Sequence, residues 1–263
     1  ALQVNTTGGF NTAVGTGSST ENTTASNNTA FGGEAMKKTT TASSNTAVGT
    51  SALACNTTGA TNVALGMQAL KANTTGEHNT AVGHNSLLAN LTANQNVAVG
   101  NYTLDASTAG PNTAVGYCAL SNVTGGAGNV AIGDLAGAQA AMINVTSENN
   151  RAVFGNTSVT NAYVKVAFTV TSDARDKTNF GTVPHGLDFV NKLEPVSFKF
   201  KKSRDNDTPH GDMRYGFKAQ DIMALEGDNP VIIDNEFEDA LKYKGEHLVP
   251  VLVNAIKELT KRI

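Results

Sequence analysis

The pentapeptide Asn-x-Ala-h-Gly, with h standing for Val, Phe, Leu or Ile, occurs eight times, starting at Asn11, Asn28, Asn45, Asn62, Asn79, Asn96, Asn112 and Asn129. From Asn to Asn the step is 17 residues six times and 16 once. A period this regular marks a stacked-repeat architecture, in which one unit buries its apolar face only against its neighbours. Seven and eight residues after each Asn come a small and then a larger apolar residue, as in Ala52-Leu53, Ala69-Leu70 and Ala119-Leu120. About eleven residues after it comes a polar corner such as Asn56-Thr57-Thr58-Gly59 or Asn73-Thr74-Thr75-Gly76. The spacing predicts two short strands and two turns per unit.

Adjacent side chains on a strand point to opposite faces, so the invariant Ala and the larger residue after it line two different surfaces. The Ala face leaves room only for a thin interior or a close approach of chains, and the Val/Leu face is expected to fill a core. Val48, Leu65, Val82, Val99 and Val115 are therefore expected in one buried ladder. Gly in every fifth position implies positive φ or a backbone packed too tightly for a Cβ. The leading Asn can stack in an amide ladder, each side chain bonded to the copies above and below. Eight coils at about 4.7–4.9 Å each make a rod about 40 Å long. Such a thin rod has a poor surface-to-volume ratio, and three rods sharing their apolar faces as a homotrimer would relieve it. The abundant Thr could alternatively form an ice- or glycan-binding face, but strand threonine is ordinary β-propensity. The Asn-x-Ser/Thr triplets, such as Asn156-Thr157-Ser158, are more simply by-products of the repeat than glycosylation acceptors.

Charge divides the chain. Residues 1–171 hold 5 Lys or Arg and 6 Asp or Glu, against 14 and 16 in residues 172–263. The first part is a nearly uncharged repeat shaft and the second an ordinary globular domain. A net charge of −3 gives no support for nucleic-acid binding. No apolar run approaches the ~20 residues of a membrane span, and no signal peptide follows Ala1, whose position at the start points to a fragment. Cys55 and Cys118 occupy different repeat positions, so a bridge between neighbouring coils is not expected.

These features divide the chain into a shaft at 1–155, a terminal strand and junction at 156–171, and a C-terminal domain at 172–263. After Gly133 the period breaks, with an insert at 134–150 and a degenerate copy at Ala152-Val153-Phe154-Gly155. Ala162 to Thr171 alternates like a last strand. The domain reads as α+β, with helices over His185 to Lys192, Ala219 to Leu225 and Glu246 to Ile263. Its strands are expected over Val196 to Lys201, Arg214 to Lys218 and Val231 to Ile233. In the last helix Leu248, Leu252, Ile256, Leu259 and Ile263 form a short coiled-coil-like seam. The same spacing serves a helix docked on its own domain.

At the junction Ser172 and Lys177 stand five residues apart. A desolvated lysine can take the proton of a serine, and such pairs cleave peptide bonds. Spacing alone carries little weight. His210, in Pro209-His210-Gly211-Asp212, has no metal-ligand spacing to His185 or His247 and reads as a loop histidine. Gly125-Gly126-Ala127-Gly128 lacks the Lys-Ser/Thr ending of a phosphate loop. No cofactor or metal is implied.

Four stretches add context, namely Ser172-Asp173-Ala174-Arg175-Asp176-Lys177-Thr178-Asn179-Phe180, Leu193 to Phe200, Tyr215 to Asp221, and Leu248 to Leu259. In this order they resemble the self-cleaving intramolecular chaperone domain of bacteriophage tail spikes and fibres, over about residues 172–263. That domain also occurs in endosialidases and in the myelin regulatory factor. The shaft resembles phage fibre shafts and, more loosely, the heads of trimeric autotransporter adhesins. The resemblance implies a mainly β homotrimer with a parallel β-solenoid or β-roll shaft. Its chaperone domain would end in a long helix, align the three chains, and then cut itself off at the Thr171–Ser172 bond. Ser172 would be the nucleophile and Lys177 its general base. Asp176 stands where the family usually has an apolar residue. A carboxylate beside the lysine favours its charged form, so slow or absent cleavage is an expected consequence. The implied setting is a virion fibre assembled in the host cytoplasm, with a host glycan or protein receptor as partner and neither nucleic acid nor membrane insertion. Two alternatives remain, a trimeric bacterial adhesin, which calls for an outer-membrane anchor, and a glycan-degrading tail spike, for which the shaft offers no paired carboxylates.

Overall fold

The computed structural model describes residues 1–139, 143–165, 172–228, 230–236 and 240–263. It divides into two compact units, Ala1–Ser158 and Val159–Ile263.

The first unit is a parallel β-solenoid with one three-residue strand per coil. These are β1 (Thr12–Val14), β2 (Thr29–Phe31), β3 (Thr46–Val48), β4 (Val63–Leu65), β5 (Thr80–Val82), β6 (Val97–Val99), β7 (Thr113–Val115) and β8 (Val130–Ile132). Within the insert, β9 (Ala138–Gln139) pairs antiparallel with β10 (Ile143–Asn144), and β11 (Ala152–Phe154) then rejoins β8 in parallel register. The result is a nine-stranded sheet in sequence order, closed at its far end by the degenerate ninth copy. Repeat position pairs with repeat position, as in Ala64↔Ala81 and Leu65↔Val82.

The expected second strand is absent among the described residues, and turns stand in its place. Ser51 and Leu53 adopt φ of +56° and +52°, and Leu70, Leu87, Leu104 and Leu120 repeat the left-handed conformation. This backbone sends alternate N–H groups to opposite neighbours. Ser51 donates to Gly33 O in the coil before, and Leu53 to Ala69 O in the coil after. A left-handed residue costs about 1–2 kcal/mol, which each coil offsets with its inter-coil bonds and a buried leucine. Nothing in a leucine announces this conformation.

The two strand faces are exchanged relative to expectation. Ala30, Ala47, Ala64, Ala81, Ala98, Ala114 and Ala131 are fully buried, whereas Leu65 is 40% and Val115 37% exposed. The interior belongs to these alanines together with Met36, Leu53, Leu70, Leu87, Leu104 and Leu120. A coil this narrow accommodates one large residue, and the turn leucine supplies it. The Val/Leu ladder therefore faces outward in the single chain.

Glycine and asparagine hold the coils at this spacing. Gly66 sits at φ +131°, and a Cβ there would lie 2.6 Å from Gly83 O, so no side chain fits. The Asn ladder bonds chiefly to backbone rather than amide to amide. Asn45 Oδ1 accepts the Asn62 N–H at 2.8 Å, and Asn45 Nδ2 donates to Gly59 O at 3.0 Å. A second, internal ladder stacks amide on amide, with Asn73 donating to Asn56 and Asn90 to Asn73, both at 2.9 Å. Cys55 and Cys118 are free.

In the second unit α1 (Leu187–Val190), α2 (Ala219–Glu226) and α3 (Leu248–Arg262) accompany the hairpin of β12 (Val196–Ser203) and β13 (Asn206–Gly216) and the short pair β14 (Ile233–Asp234) and β15 (Lys242–Tyr243). Phe189, Ile222, Ile232, Ile233, Leu248 and Val251 form its core. α2 stops at Gly227, whose φ of +79° lets its N–H reach Met223 O. β13 is longer than expected and contains His210, paired opposite Phe200 rather than in a loop. The last strand expected over Ala162 to Thr171 falls largely on residues 166–171, outside the described residues, and Ala162 to Lys165 are not in a strand.

Candidate functional site

Ser172 and Lys177 flank a short 3₁₀ turn, Ala174–Asp176. The Asp173 carboxylate accepts the Arg175 N–H at 2.9 Å and closes the start of the turn. The Lys177 N–H donates to Ala174 O and closes its end. Reversing the chain over these residues brings Lys177 Nζ to 2.6 Å from Ser172 Oγ. As an ammonium the lysine donates along this line, and as a neutral amine it accepts the hydroxyl proton.

The neighbouring charges are arranged around the pair. Asp173 is engaged by Arg175, with Nη2 to Oδ2 at 2.5 Å. Hydrogen bonds from the Arg175 side chain and backbone hold the Asp173 carboxyl below its usual range. Among the described residues no carboxylate, Asp176 included, forms an ion pair with Lys177. Both Ser172 and Lys177 are exposed.

The pair opens onto a cleft of about 850 Å³ whose other walls include Pro184, His185, Ile232, His247 and Val251. α3 braces this cleft. Asn254 Nδ2 donates to Val183 O and His185 O at 3.2 and 3.3 Å, and Glu258 Oε2 accepts the Leu187 N–H at 2.9 Å. Glu226 holds the opposite rim by accepting the N–H groups of Val231, Ile232 and Ile233 at 2.8–3.1 Å. The sequence reading missed all three braces. Asn254 and Glu258, polar and four apart in a mainly apolar helix, carried a signal; Glu226 did not. Thr171, on the expected scissile bond, lies outside the described residues. Among the described residues there is no cluster of His, Cys, Asp or Glu able to hold a metal, and no helix long and apolar enough to cross a membrane.

α3 presents two apolar stripes. Leu248, Val251 and Ala255 are buried against their own unit, while Leu252, Ile256, Leu259 and Ile263 remain outside, Ile256 at 64% and Leu259 at 49% exposure. Docking and an unpartnered seam thus coexist on one helix, and Leu248 alone of the seam residues is buried.

Residues 172–230 match the family model of peptidase S74, described as the chaperone of endosialidase. The matched span contains Ser172, Lys177 and the first three of the four stretches, and stops short of α3. No curated protein and no solved structure matches the chain. The β-solenoid and the matched domain together fit a bacteriophage tail fibre or spike carrying a C-terminal chaperone domain. The family's name is consistent with a self-cleaving peptidase.

Proposed function

We propose that this chain is the shaft and chaperone of a homotrimeric host-attachment fibre, whose C-terminal domain gathers three copies in the host cytoplasm, aligns their repeats and then severs itself. The observation that carries this reading is the 2.6 Å approach of Lys177 Nζ to Ser172 Oγ at the start of the matched domain. Lys177 takes the Ser172 proton as Oγ attacks the Thr171 carbonyl through a five-membered ring. The Thr171–Ser172 amide bond breaks, an ester forms, and the proton passes to the released Ser172 amine. Water then hydrolyses the ester, leaving a shaft that ends in a Thr171 carboxylate and a free domain of residues 172–263. Attack on the carbonyl of Ser172 itself would require a strained four-membered ring.

The base must be neutral, and burial is what favours a neutral lysine. In the single chain the pair is exposed, so association of copies is the event that would withdraw it from water. Cutting then follows assembly. The order is useful because parallel repeats this alike can slip in register and their long-range pairing nucleates slowly. The receptor on the host, glycan or protein, is contacted by the shaft.

Intact mass and native mass spectrometry test the reading together. Wild type is expected as a trimer of shafts with a released domain, and Ser172→Ala and Lys177→Ala as full-length trimers. Two fragments from Ser172→Ala would remove Ser172 from the mechanism, and a monomeric full-length protein would remove the trimer.

A further inference from the structure

On β1 to β8 and β11 the middle residue points into the solenoid and the two flanking residues point out. The outward residues make two ladders. One is mostly Thr and Val. The other is Val14, Phe31, Val48, Leu65, Val82, Val99, Val115, Ile132 and Phe154, apolar at every rung, and the exposed members of this ladder are 37% to 64% accessible. A one-sided sheet ordinarily turns polar residues outward. Scattered surface apolar residues are normal, but a contiguous apolar strip marks an interaction surface.

Resting on the homotrimer reading above, we infer that this outward sheet face is where the shafts of different copies of this chain pack on one another. None of its 18 outward residues is charged, so like faces meet without repulsion. The shaft's charges lie elsewhere, as in the Glu34–Lys37 pair on a turn. Only another copy repeats the ladder at the same spacing, rung for rung. The insert shows the face being kept. Between β8 and β11 the step lengthens to 22 residues, yet Phe154 still pairs with Ile132 and continues the ladder. The longer step carries the antiparallel β9–β10 pair instead.

Area indicates how strongly the face holds. Nine rungs over about 40 Å and strands about 10 Å long give roughly 400 Å² per chain. A standard interface uses about 800 Å² per partner. The face is thus too small to gather the copies unaided, which matches a shaft that needs an oligomerising domain beside it.

Crosslinking of the full chain tests the assignment. In a Cys55→Ser, Cys118→Ser background, Leu65→Cys places one thiol on the ladder and Thr41→Cys places one on an exposed turn. Both sites are outside the solenoid core, so folding is retained. With a short bis-maleimide, Leu65→Cys is expected to give linked chains on a denaturing gel and Thr41→Cys none. Absence of linkage at Leu65→Cys in a protein that light scattering shows to be trimeric, or equal linkage at both sites, overturns the face while leaving the trimer standing. A monomer by light scattering overturns the trimer and the face with it.

Discussion

Thr39 occupies the position that Asn22, Asn56, Asn73 and Asn90 fill in other coils, and like them it is buried. Among the described residues its hydroxyl has no hydrogen-bond partner, and neither does Asn90 Oδ1, where the amide ladder runs out at Ser107. A buried hydroxyl without a partner costs about 1–3 kcal/mol. Thr39→Val keeps the shape and removes the unpaired group, so it is expected to stabilise the shaft by roughly 1 kcal/mol, read as a higher midpoint in thermal unfolding. A lower midpoint would mean the hydroxyl is bonded after all. The repeat also shows what could and could not be read from sequence. Invariant Gly at the end of every pentapeptide was legible, because only a missing Cβ explains it. The left-handed Leu53 and its equivalents were not, because an apolar residue beside a small one looks the same in a strand as in this turn. Which way the strand faces was also hidden, since the choice depends on the turn leucine already filling the interior.

Among the elements, the 3₁₀ turn of Ala174–Asp176 was unforeseen although the residues at its two ends were picked out. Sequence spacing offered Ser172 and Lys177 as a pair five apart; the turn that closes the distance depends on Asp173 accepting from the Arg175 backbone. Arg175 has a second task, since its guanidinium neutralises the Asp173 carboxylate, the residue next to Ser172 in sequence. Arg175→Gln is expected to leave the fold intact, slow self-cleavage and move its pH–rate profile to higher pH, as a released carboxylate favours the charged lysine. Lowering the pH also opens the clamp, by protonating Asp173 rather than by removing its partner. The Asp173 pKa is depressed by Arg175, so the clamp persists above the ordinary carboxylate range and is lost as pH falls through the depressed value. Cleavage by Arg175→Gln with an unshifted profile would reduce Arg175 to a surface residue.

At the scale of the whole molecule, the two candidate association surfaces differ in what they demand. The sheet face repeats one motif and tolerates many registers. The α3 seam is short, single and not repetitive, so it can set one alignment. The seam is exposed in the isolated chain, where Ile256 and Leu259 keep much of their surface accessible while Leu248, Val251 and Ala255 are buried. A polar residue there costs the single domain little, because no buried group is disturbed and surface substitutions usually stay within about 0.5 kcal/mol. In a trimer the same substitution buries a charge, at a cost of several kcal/mol. The Ile256→Asp, Leu259→Asp double variant is therefore expected to keep a folded domain by circular dichroism and to be monomeric by light scattering. If the Ser172–Lys177 pair gains its burial from neighbouring copies, the variant also stays full length with both active residues intact. A folded monomer that still releases residues 172–263 would show that the dyad works within one chain and that cutting does not wait for assembly.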